Sequence, residues 1–172
     1  EWLVKNFKNV EGHTVNLDEL FLAFSASLSK FDNEHGMANS RARLRMTTLY
    51  QVAAANKGIV VGTGNKVEDF GVGFYTKYGD GGVDISPIAD CNKTQIWELG
   101  KELGILNEII EAAPTDGLWD DGRTDEGQLG LKYEELEEAM ANPKSPNRAK
   151  YEIIRKQNMH KMEPIPVCII PN

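Results

Sequence analysis

The segment FYTKYGDGGVDISPI, residues 74–88, places charged side chains among three glycines. Its charged members include Lys77, Asp80 and Asp84. Glycines let backbone approach a ligand closely, carboxylates accept hydrogen bonds from hydroxyl groups, and an ammonium group can meet an anion. A ligand with a ribose and a phosphate needs all three, so the segment is a candidate nucleotide contact. Because DG and GG are strong turn signals, a purely structural turn is the alternative.

Two further charged residues occur where an anionic ligand could bind. Lys93 is expected at the first position of a helix capped by Asn92, where the helix dipole disfavours a cation. A phosphate would offset this, because the free amides of that turn and the ammonium could both face it. An exposed lysine screened by solvent is the alternative. Glu68 follows a predicted strand end and could ligate a Mg²⁺ carried by a nucleotide, although surface glutamates are common.

Helical spacing over residues 37–56 places Arg43 within or beside an apolar stripe, whereas Arg41 points away. The stripe consists of Ala42, Met46, Leu49 and Ala53. An arginine on the core-facing side needs an internal carboxylate or a bound anion; an arginine that snorkels at the edge of the stripe is the alternative. A second stripe on the opposite side favours contact with another subunit, and therefore a homodimer. Its members are Leu44, Thr48, Val52 and Ala55.

The last long helix is predicted to start with Ser145 as N-cap and Pro146 at the first helical position. His160 and Lys161 end it. Cations are favoured at a helix C-terminus, so interaction with the dipole is sufficient to explain both.

Alternating strands and helices must position these residues. Strands are predicted at 13–17 and 59–63, and helices over 18–31, with Asp18 as cap, and over 37–56. The alternation predicts an α/β fold with helices on both faces of a sheet, in which ligands collect at the carboxyl ends of the strands. Thr63 stands at such an end.

The middle of the chain combines a well-marked helix with a long loop. Asn92 and Gln95 form a capping box, and Gly104 is the expected stop. Residues 113–130 are rich in Gly and Asp and contain one large aromatic residue, which is typical of a mobile functional loop. We expect a lid there.

Composition limits the classes of function. The chain has 172 residues, of which 41% are hydrophobic, which suits one globular domain over residues 1–172. A formal net charge of −7 argues against binding to the phosphate backbone of nucleic acid, although one small anion could still find a basic pocket. No apolar run approaches the length of a membrane span.

The cysteines and histidines indicate a location but no metal chemistry. Cys91 and Cys168 form neither a C-x-x-C pair nor a disulfide framework, which fits a reducing compartment and therefore the cytoplasm. His13 and His35 show no metal-ligand spacing. Residues 1–7 are typical of the end of an amphipathic helix, so we expect the chain to be incomplete at its start.

Several segments, taken in order, resemble the synthetase domain of the NAD⁺ synthetase family. They are NSRARLRM, VVGTGNKVEDFGVGFYTKYGDGGVDISPI, NKTQIWELGKELG, APTDGLWDDGRTDEGQLG and the pair HK. The resemblance covers roughly residues 37–161. Each segment is weak alone, but their order and spacing are specific, and TKYGDGGVDI is the most distinctive string.

The resemblance implies a Rossmann-like three-layer sandwich of the PP-loop, adenine nucleotide alpha hydrolase type, with a parallel sheet. It also implies that ATP adenylates the nicotinate carboxylate of deamido-NAD⁺, that ammonia attacks the mixed anhydride, and that AMP and pyrophosphate leave. Mg²⁺ neutralises the phosphates.

The family's ligand contacts can be placed on this sequence one position at a time. Residues that match deamido-NAD⁺ contacts are Arg43, Lys77, Asp84, His160 and Lys161. Those that match ATP contacts are Thr63, Lys93 and Thr115. Glu68 matches a Mg²⁺ ligand, and Asp80 is expected to stabilise the turn or to lie beside the ribose.

The sequence departs from the family pattern at three places. The pyrophosphate loop S-G-G-x-D-S, which supplies the other expected Mg²⁺ ligand, is not in this chain, so we expect the polypeptide as given to make no NAD⁺. Ala38 stands where glycine is frequent, and Asp116 where a small apolar residue is usual. Both put the local loop geometry in doubt.

Two other functions stay open at this point. The chain could belong to another PP-loop adenylating enzyme that amidates a different acid or thiolates a tRNA base, although the acidic charge argues against tRNA. It could also be an inactive dinucleotide-binding module. The nitrogen source, free ammonia or a glutaminase domain, is not fixed by the sequence.

Overall fold

A computed structural model describes residues 1–171; Asn172, the last residue of the predicted domain, lies outside the described residues. The chain divides into two compact units, Glu1–Met37 and the part from Ala38 onward. The single domain over residues 1–172 stays a prediction. Within the described part, no helix is both long and apolar enough to cross a membrane.

The first unit contains two helices and a short helical turn. Helix α1 spans Trp2–Asn6, α2 spans Asp18–Ser27, and a 3₁₀ turn spans Ser29–Phe31. The strand predicted at 13–17 is wrong, since these residues have no regular structure. The reason is local: the Asn16 side chain accepts a hydrogen bond from the Asp18 amide at 2.7 Å and turns the chain into α2.

Helix α3 spans Glu34–Ala55, three residues earlier at its start than predicted. Only the first part of the predicted apolar stripe is buried: Ala42 is 5% exposed, whereas Leu49 is 55% exposed. Arg43 lies on the exposed side, so its core-facing placement is wrong and the snorkelling alternative fits better. Ala38, where the family pattern often has glycine, is also buried on α3.

The parallel sheet stays a prediction. In the described chain, an isolated parallel bridge joins Val61 to Ile85, and no longer strand is formed. The Gly62 amide donates to the Ile85 carbonyl at 2.7 Å. A β-carbon on Gly62 would lie 2.8 Å from the Val83 side chain, so glycine is what allows this close approach. Segment 59–63 therefore pairs with one neighbouring segment, at Ile85, and not with a strand on each side as in the predicted sheet.

The remaining helices surround the main core. They are a π-helix at Val67–Val72, α4 at Lys93–Glu102, α5 at Asn107–Ile110, α6 at Asp125–Leu129, α7 at Tyr133–Ala141 and α8 at Arg148–Met162. Apolar side chains of the π-helix, α6, α7 and α8 form one buried cluster. Its members are Val67, Val72, Leu129, Leu131, Tyr133, Leu136, Ala139 and Tyr151.

Of two predicted helix starts, that of α4 is confirmed and that of α8 is wrong. The capping box of α4 is confirmed on one side, because the Asn92 amide donates to Gln95 Oε1 at 2.9 Å. The start of the last helix is wrong by two residues, since α8 begins at Arg148 after the N-cap Asn147. Ser145 instead accepts a hydrogen bond from the Asn147 amide at 3.2 Å and donates to Glu138 at 2.6 Å, so its hydroxyl organises the turn before the helix.

The π-helix is held at its start by a buried amide. Asn65 is 1% exposed, and its side-chain oxygen accepts from the amides of Val67 and Glu68, each at 3.1 Å. Gly73, with φ at +65°, ends the π-helix in the left-handed conformation. Helices of this type are rare and are frequently found at functional sites. This one fixes the backbone that carries Glu68.

We expect Leu136→Ala to lower the free energy of unfolding by about 2–5 kcal/mol, because Leu136 is completely buried and its removal leaves a cavity. Urea unfolding measures the change. Ile153→Ala, on the 60% exposed side chain of Ile153 in α8, is the control and should cost less than about 0.5 kcal/mol. Equal losses in the two variants would contradict the assignment of Leu136 to the core.

Candidate functional site

One cavity of about 460 Å³ collects the four residues that are predicted to contact ATP or Mg²⁺. Thr63, at the end of the extended segment, and Glu68, on the π-helix, form part of its wall. Lys93, at the start of α4, and Thr115, in the long loop, also line it. Residues far apart in the chain thus face one hollow, as nucleotide binding by these side chains requires.

Lys93 and Glu68 form an ion pair inside this cavity. The Lys93 Nζ atom lies 3.3 Å from Glu68 Oε1, and the two side chains are only 21% and 15% exposed. The ammonium also lies 4.9 Å from the centre of the Tyr133 ring, a cation–π distance. The alternative of a freely exposed lysine is therefore wrong. Lys93 occupies the first turn of α4, as predicted, but its partner in this structure is a carboxylate.

Tyr133 connects this pair to a second carboxylate. Its ring is fully buried, and its hydroxyl donates a short hydrogen bond to Glu68 Oε1. Asp125 Oδ2 lies 3.3 Å from the same hydroxyl. Burial raises the pKa of Tyr133 well above its ordinary value, and the negative charge of Glu68 adds to the effect. The phenol therefore remains a neutral hydrogen-bond donor.

Asp125 is the most unusual acidic group of the site. It is only 7% exposed, and among residues 1–171 its Oδ1 is a buried side-chain oxygen without a hydrogen-bond partner. Burial, and then the charge of Glu68, raise its pKa to about 6. Asp69 behaves similarly, since burial and then the charge of Glu68 raise its pKa to about 6. The cavity thus contains crowded carboxylates that are short of positive partners.

The first turn of α4 is less open than the sequence predicts. The Thr94 amide donates to Glu137 Oε1 at 3.0 Å, and the Thr94 hydroxyl donates to Glu137 Oε2 at 2.6 Å. That amide is therefore engaged by a carboxylate of α7. A phosphate beside Lys93 would rely on the ammonium more than on the Thr94 backbone.

The acidic groups fit a divalent cation that is bound partly by protein carboxylates and partly by phosphates. In the described part of the chain, no three His, Cys, Asp or Glu side chains form a complete metal site. Mg²⁺, however, commonly takes one or two carboxylates and completes its shell with water and phosphate oxygens. Glu68 and the unpartnered oxygen of Asp125 meet that requirement.

The residues predicted to contact deamido-NAD⁺ form a separate group, since none of them is on the wall of the cavity. Arg43 Nε donates to the Lys77 carbonyl at 3.2 Å, and Lys77 Nζ donates to the His160 carbonyl at 2.7 Å. Lys161 Nζ donates to the carbonyls of Gly73 and Tyr75. The cations therefore join the segment after the π-helix to α3 and α8. Dipole interaction alone does not describe Lys161, because it bonds carbonyls outside its own helix.

The two aspartates of the glycine-rich segment hold backbone. Asp84 Oδ2 accepts from the Val60 amide at 2.7 Å, and Oδ1 accepts from the Tyr50 hydroxyl at 3.3 Å. Asp80 accepts from the Thr76 amide at 2.9 Å, which confirms its turn-stabilising role. A β-carbon on Gly81 would lie 2.4 Å from the ring of Tyr75. Close packing accounts for this glycine, as the structural alternative supposes.

Asp116 organises the long loop, which explains why this position departs from the family pattern. Its carboxylate accepts hydrogen bonds from the Leu118 amide at 2.9 Å, from Trp119 Nε1 at 3.2 Å and from Gln128 Nε2 at 3.1 Å. The carboxylate thereby joins both ends of the loop around the indole. Thr115 precedes this anchor directly, so Asp116 fixes the position of Thr115. The loop's mobility as a lid stays a prediction.

Two arginines of α3 hold the same loop from the other side. Arg45 Nη2 donates to the Gly117 carbonyl at 2.8 Å, and Arg41 Nη1 donates to the Leu118 carbonyl at 2.8 Å. Arg41 was predicted to point away from the apolar stripe, and its side chain contacts this loop. Sequence reasoning missed the function of both arginines, because nothing local distinguishes an arginine that bonds a distant loop from one that faces water.

We expect Asp116→Ala to speed amide hydrogen exchange across residues 116–129 about tenfold, because three hydrogen bonds to a charged group are lost. Hydrogen exchange with mass spectrometry measures this directly. Asp121→Ala is the control, since Asp121 is half-exposed and pairs with Arg123 two residues away. Unchanged exchange in Asp116→Ala would show that the arginines of α3 alone hold the loop.

Tyr133 and Asp125 are the main site residues that the sequence did not reveal. Tyr133 contacts Glu68 from 65 positions away in the chain, and a single aromatic residue at a helix start carries no chemical signature. Asp125 follows Thr124, whose side chain caps α6, so the sequence around it is typical of an ordinary helix start.

Known proteins resemble this chain in sequence along almost its whole length. The family described as NAD synthase matches residues 2–168. The NH(3)-dependent NAD(+) synthetase of Carboxydothermus hydrogenoformans is 42% identical over 139 residues, which is 78% of this chain and 56% of that protein. The enzyme of the same name from Alkaliphilus oremlandii is 44% identical over 133 residues, which is 75% of this chain and 52% of that protein. The chain thus spans about half the length of these curated relatives.

Two solved structures superpose on most of this chain. NMN synthetase from Francisella tularensis superposes with a TM-score of 0.83 at 34% identity, covering 95% of this chain and 68% of the other. The NH3-dependent NAD synthetase of Campylobacter jejuni gives a TM-score of 0.67 at 24% identity over 90% of this chain and 64% of the other, which shows the fold alone. From the match over residues 2–168 and these likenesses together, the chain belongs to the NAD synthase family.

Proposed function

We propose that the protein carrying this chain is a ligase that forms a C–N bond, converting deamido-NAD⁺ into NAD⁺ with ATP and ammonia. One observation carries this proposal: Thr63, Glu68, Lys93 and Thr115, which match the family's ATP and Mg²⁺ contacts, line a single cavity. Membership of the NAD synthase family supports the same reaction.

The chemistry requires activation of a carboxylate. A carboxylate resists nucleophiles until one of its oxygens becomes a good leaving group, so the nicotinate oxygen attacks the α-phosphorus of ATP and pyrophosphate leaves. Ammonia then attacks the carbonyl carbon of the mixed anhydride, and AMP leaves with the oxygen. Charge accumulates on phosphate oxygens in the first step, where a positioned cation lowers the barrier most.

Lys93 is the cation of this chain placed to act in that step. In the structure its ammonium is paired with Glu68 and supported by the Tyr133 ring. We propose that the phosphates of ATP replace Glu68 as its partner, while Thr63 and Thr115 donate hydrogen bonds from the cavity wall. Mg²⁺, when bound, neutralises phosphate charge, and Glu68 would hold it.

The second nucleotide is proposed to bind at the group formed by Arg43, Lys77, Asp84, His160 and Lys161. Arg43 donates to the Lys77 carbonyl, and Lys77 donates to the His160 carbonyl. Arg43 and His160 are exposed and can reach a ligand, whereas Asp84 and Lys161 hold backbone. We propose that Arg43 and His160 contact the acidic dinucleotide directly and that Asp84 and Lys161 keep the binding surface in shape.

A second substrate is favoured by one structural observation. The superposition with TM-score 0.83 is with a protein described as an NMN synthetase. The same amidation on the mononucleotide acid, nicotinate mononucleotide, would yield NMN and would leave the adenosine half of the dinucleotide site without use. The two substrates differ in whether contacts to that adenosine half contribute to binding.

Assembly, nitrogen source and location are further parts of the proposal. The second stripe of α3, in which Val52 is 37% exposed, supports a homodimer. A monomeric gel-filtration profile at micromolar concentration would contradict it.

Relatives named NH(3)-dependent favour free ammonia as the donor. The cytoplasm stays the predicted location, on the cysteine pattern and the two free thiols.

The test of the function is product formation by the full-length natural protein. The enzyme is supplied with ATP, Mg²⁺ and either deamido-NAD⁺ or nicotinate mononucleotide, with ammonium or glutamine as donor, and products are identified by mass. We expect NAD⁺ and AMP with ammonium. A larger yield of NMN would favour the mononucleotide function. No amide product with either acid and either donor would overturn the proposal and favour a binding module.

A further inference from the structure

The cavity carries more negative than positive side chains, although its proposed ligand is a polyanion. The acidic side chains on its wall are Glu68, Asp69, Asp80, Asp116 and Asp125. The cationic ones are Arg45 and Lys93. Phosphates cannot enter such a site without added positive charge, because like charges in a half-buried hollow repel strongly. The wall therefore requires a cation as well as a nucleotide.

Asp125 is the acidic side chain whose bonding is incomplete. It begins α6 and is 7% exposed, and within residues 1–171 its Oδ1 is buried without a hydrogen-bond partner. Leaving a carboxylate oxygen buried and unpaired is costly, and native structures rarely do so. Such an oxygen points to a ligand that completes it.

The other oxygen of Asp125 is not fully satisfied either. Tyr133 has a single hydroxyl proton, and that proton is donated in the short bond to Glu68. The 3.3 Å contact between the hydroxyl and Asp125 Oδ2 therefore competes with the Glu68 bond. Lys93 is paired with Glu68 as well. Glu68 thus takes both the available proton donor and the nearby ammonium, and Asp125 is left without a strong partner.

We propose that Asp125 is a further carboxylate, contributed by this chain beside Glu68, for the divalent cation that accompanies the nucleotide. Both carboxylates contact the same hydroxyl group, so both lie within reach of one hydrated cation. Hard oxygen donors of this kind are what Mg²⁺ selects, and one or two carboxylates plus phosphates form its usual set. The inference rests on the proposed function for the identity of the nucleotide, but cation binding by Asp125 can be measured without turnover.

Manganese is the probe, because it replaces Mg²⁺ at oxygen sites and is observed by electron paramagnetic resonance. The full-length protein is titrated with Mn²⁺ in the presence of α,β-methylene ATP, in which the bond to be broken is blocked. Asp125→Asn is compared with wild type and with Glu68→Gln. The matched control is Asp90→Asn, on a side chain that is 96% exposed and pairs with Lys66 on the surface.

We expect Asp125→Asn to weaken Mn²⁺ binding about tenfold or more, similarly to Glu68→Gln, with Asp90→Asn within about twofold of wild type. A folded Asp125→Asn protein with wild-type Mn²⁺ affinity would overturn the proposal.

A measurement on the wild-type protein makes the test independent of the folding of variants. Fe²⁺ bound in place of Mg²⁺, with ascorbate and peroxide, cleaves the chain next to its ligands. Cuts beside both Glu68 and Asp125 are expected, and cuts beside Glu68 alone would refute the proposal. Cation binding that depends on Asp125 in a protein without amidation activity would leave this inference standing while removing the proposed function.

Discussion

Lys93→Ala is expected to lower kcat/KM for ATP about 100-fold while the KM for the nicotinate substrate changes little. A preorganised donor aimed at developing phosphate charge contributes about 2.7–4 kcal/mol in comparable sites. Within the described residues, Lys93 supplies the ammonium on the cavity wall. The other cationic side chain there, Arg45, donates to the Asp116 and Gly117 carbonyls. Steady-state kinetics with ATP and with the acid substrate varied separately measure the effect.

Lys101→Ala is the matched control for this prediction. Lys101 lies in the last turn of the same helix and is exposed, so its removal should leave both KM values unchanged. A loss confined to the acid substrate in Lys93→Ala would show that the two sets of contacts have been assigned to the wrong nucleotides. A loss shared by Lys101→Ala would indicate damage to α4.

Arg43→Ala is expected to raise the KM for deamido-NAD⁺ about 30-fold with little change in the KM for ATP. A hydrogen bond to a charged group contributes about 1.5–3 kcal/mol, and about 2 kcal/mol corresponds to this factor. Arg43 is exposed on α3, and its Nε holds the Lys77 carbonyl, so the substitution also loosens the segment that carries Lys77. Isothermal titration with deamido-NAD⁺ separates binding from catalysis.

Arg43→Lys tests which property of the side chain matters. Lysine keeps the charge but lacks the planar fork of donors, so we expect only partial recovery if the guanidinium binds an anion in a bidentate manner. Thr47→Ala controls for the integrity of α3, because the Thr47 hydroxyl donates to the Arg43 carbonyl of its own helix at 3.0 Å. Wild-type affinity in Arg43→Ala would remove Arg43 from the site.

Local signals in the sequence predicted the helices well. The first-turn position of Lys93, the capping by Asn92 and Gln95, and the left-handed Gly104 at φ +68° all follow from residues within one turn of each other. Thr63, at the end of segment 59–63, lines the cavity, whereas its place at the end of a sheet strand stays a prediction. These features depend on near neighbours, which the sequence displays directly.

Features that depend on distant partners were predicted poorly. A strand exists only if another strand pairs with it, and segment 59–63 has a single bridge to Ile85. Asn16 diverts the segment at 13–17 into a helix instead. The pairing of Lys93 with Glu68 and Tyr133 unites three elements, and no periodicity encodes which side chains meet. Family resemblance, and not pattern, assigned Lys93 and Glu68 to one site, and it did not indicate Tyr133.

The decisive measurement is a structure of the full-length protein with α,β-methylene ATP, Mg²⁺ and deamido-NAD⁺ bound. The nucleotide's phosphates should lie in the cavity between Thr63 and Thr115, within about 3 Å of Lys93 Nζ, with Glu68 turned from the ammonium to the metal. A nucleotide bound elsewhere, with the ion pair of Lys93 and Glu68 intact, would contradict the proposal. The proposal requires that Lys93 binds phosphate in place of Glu68, and that Glu68 binds the cation in place of Lys93.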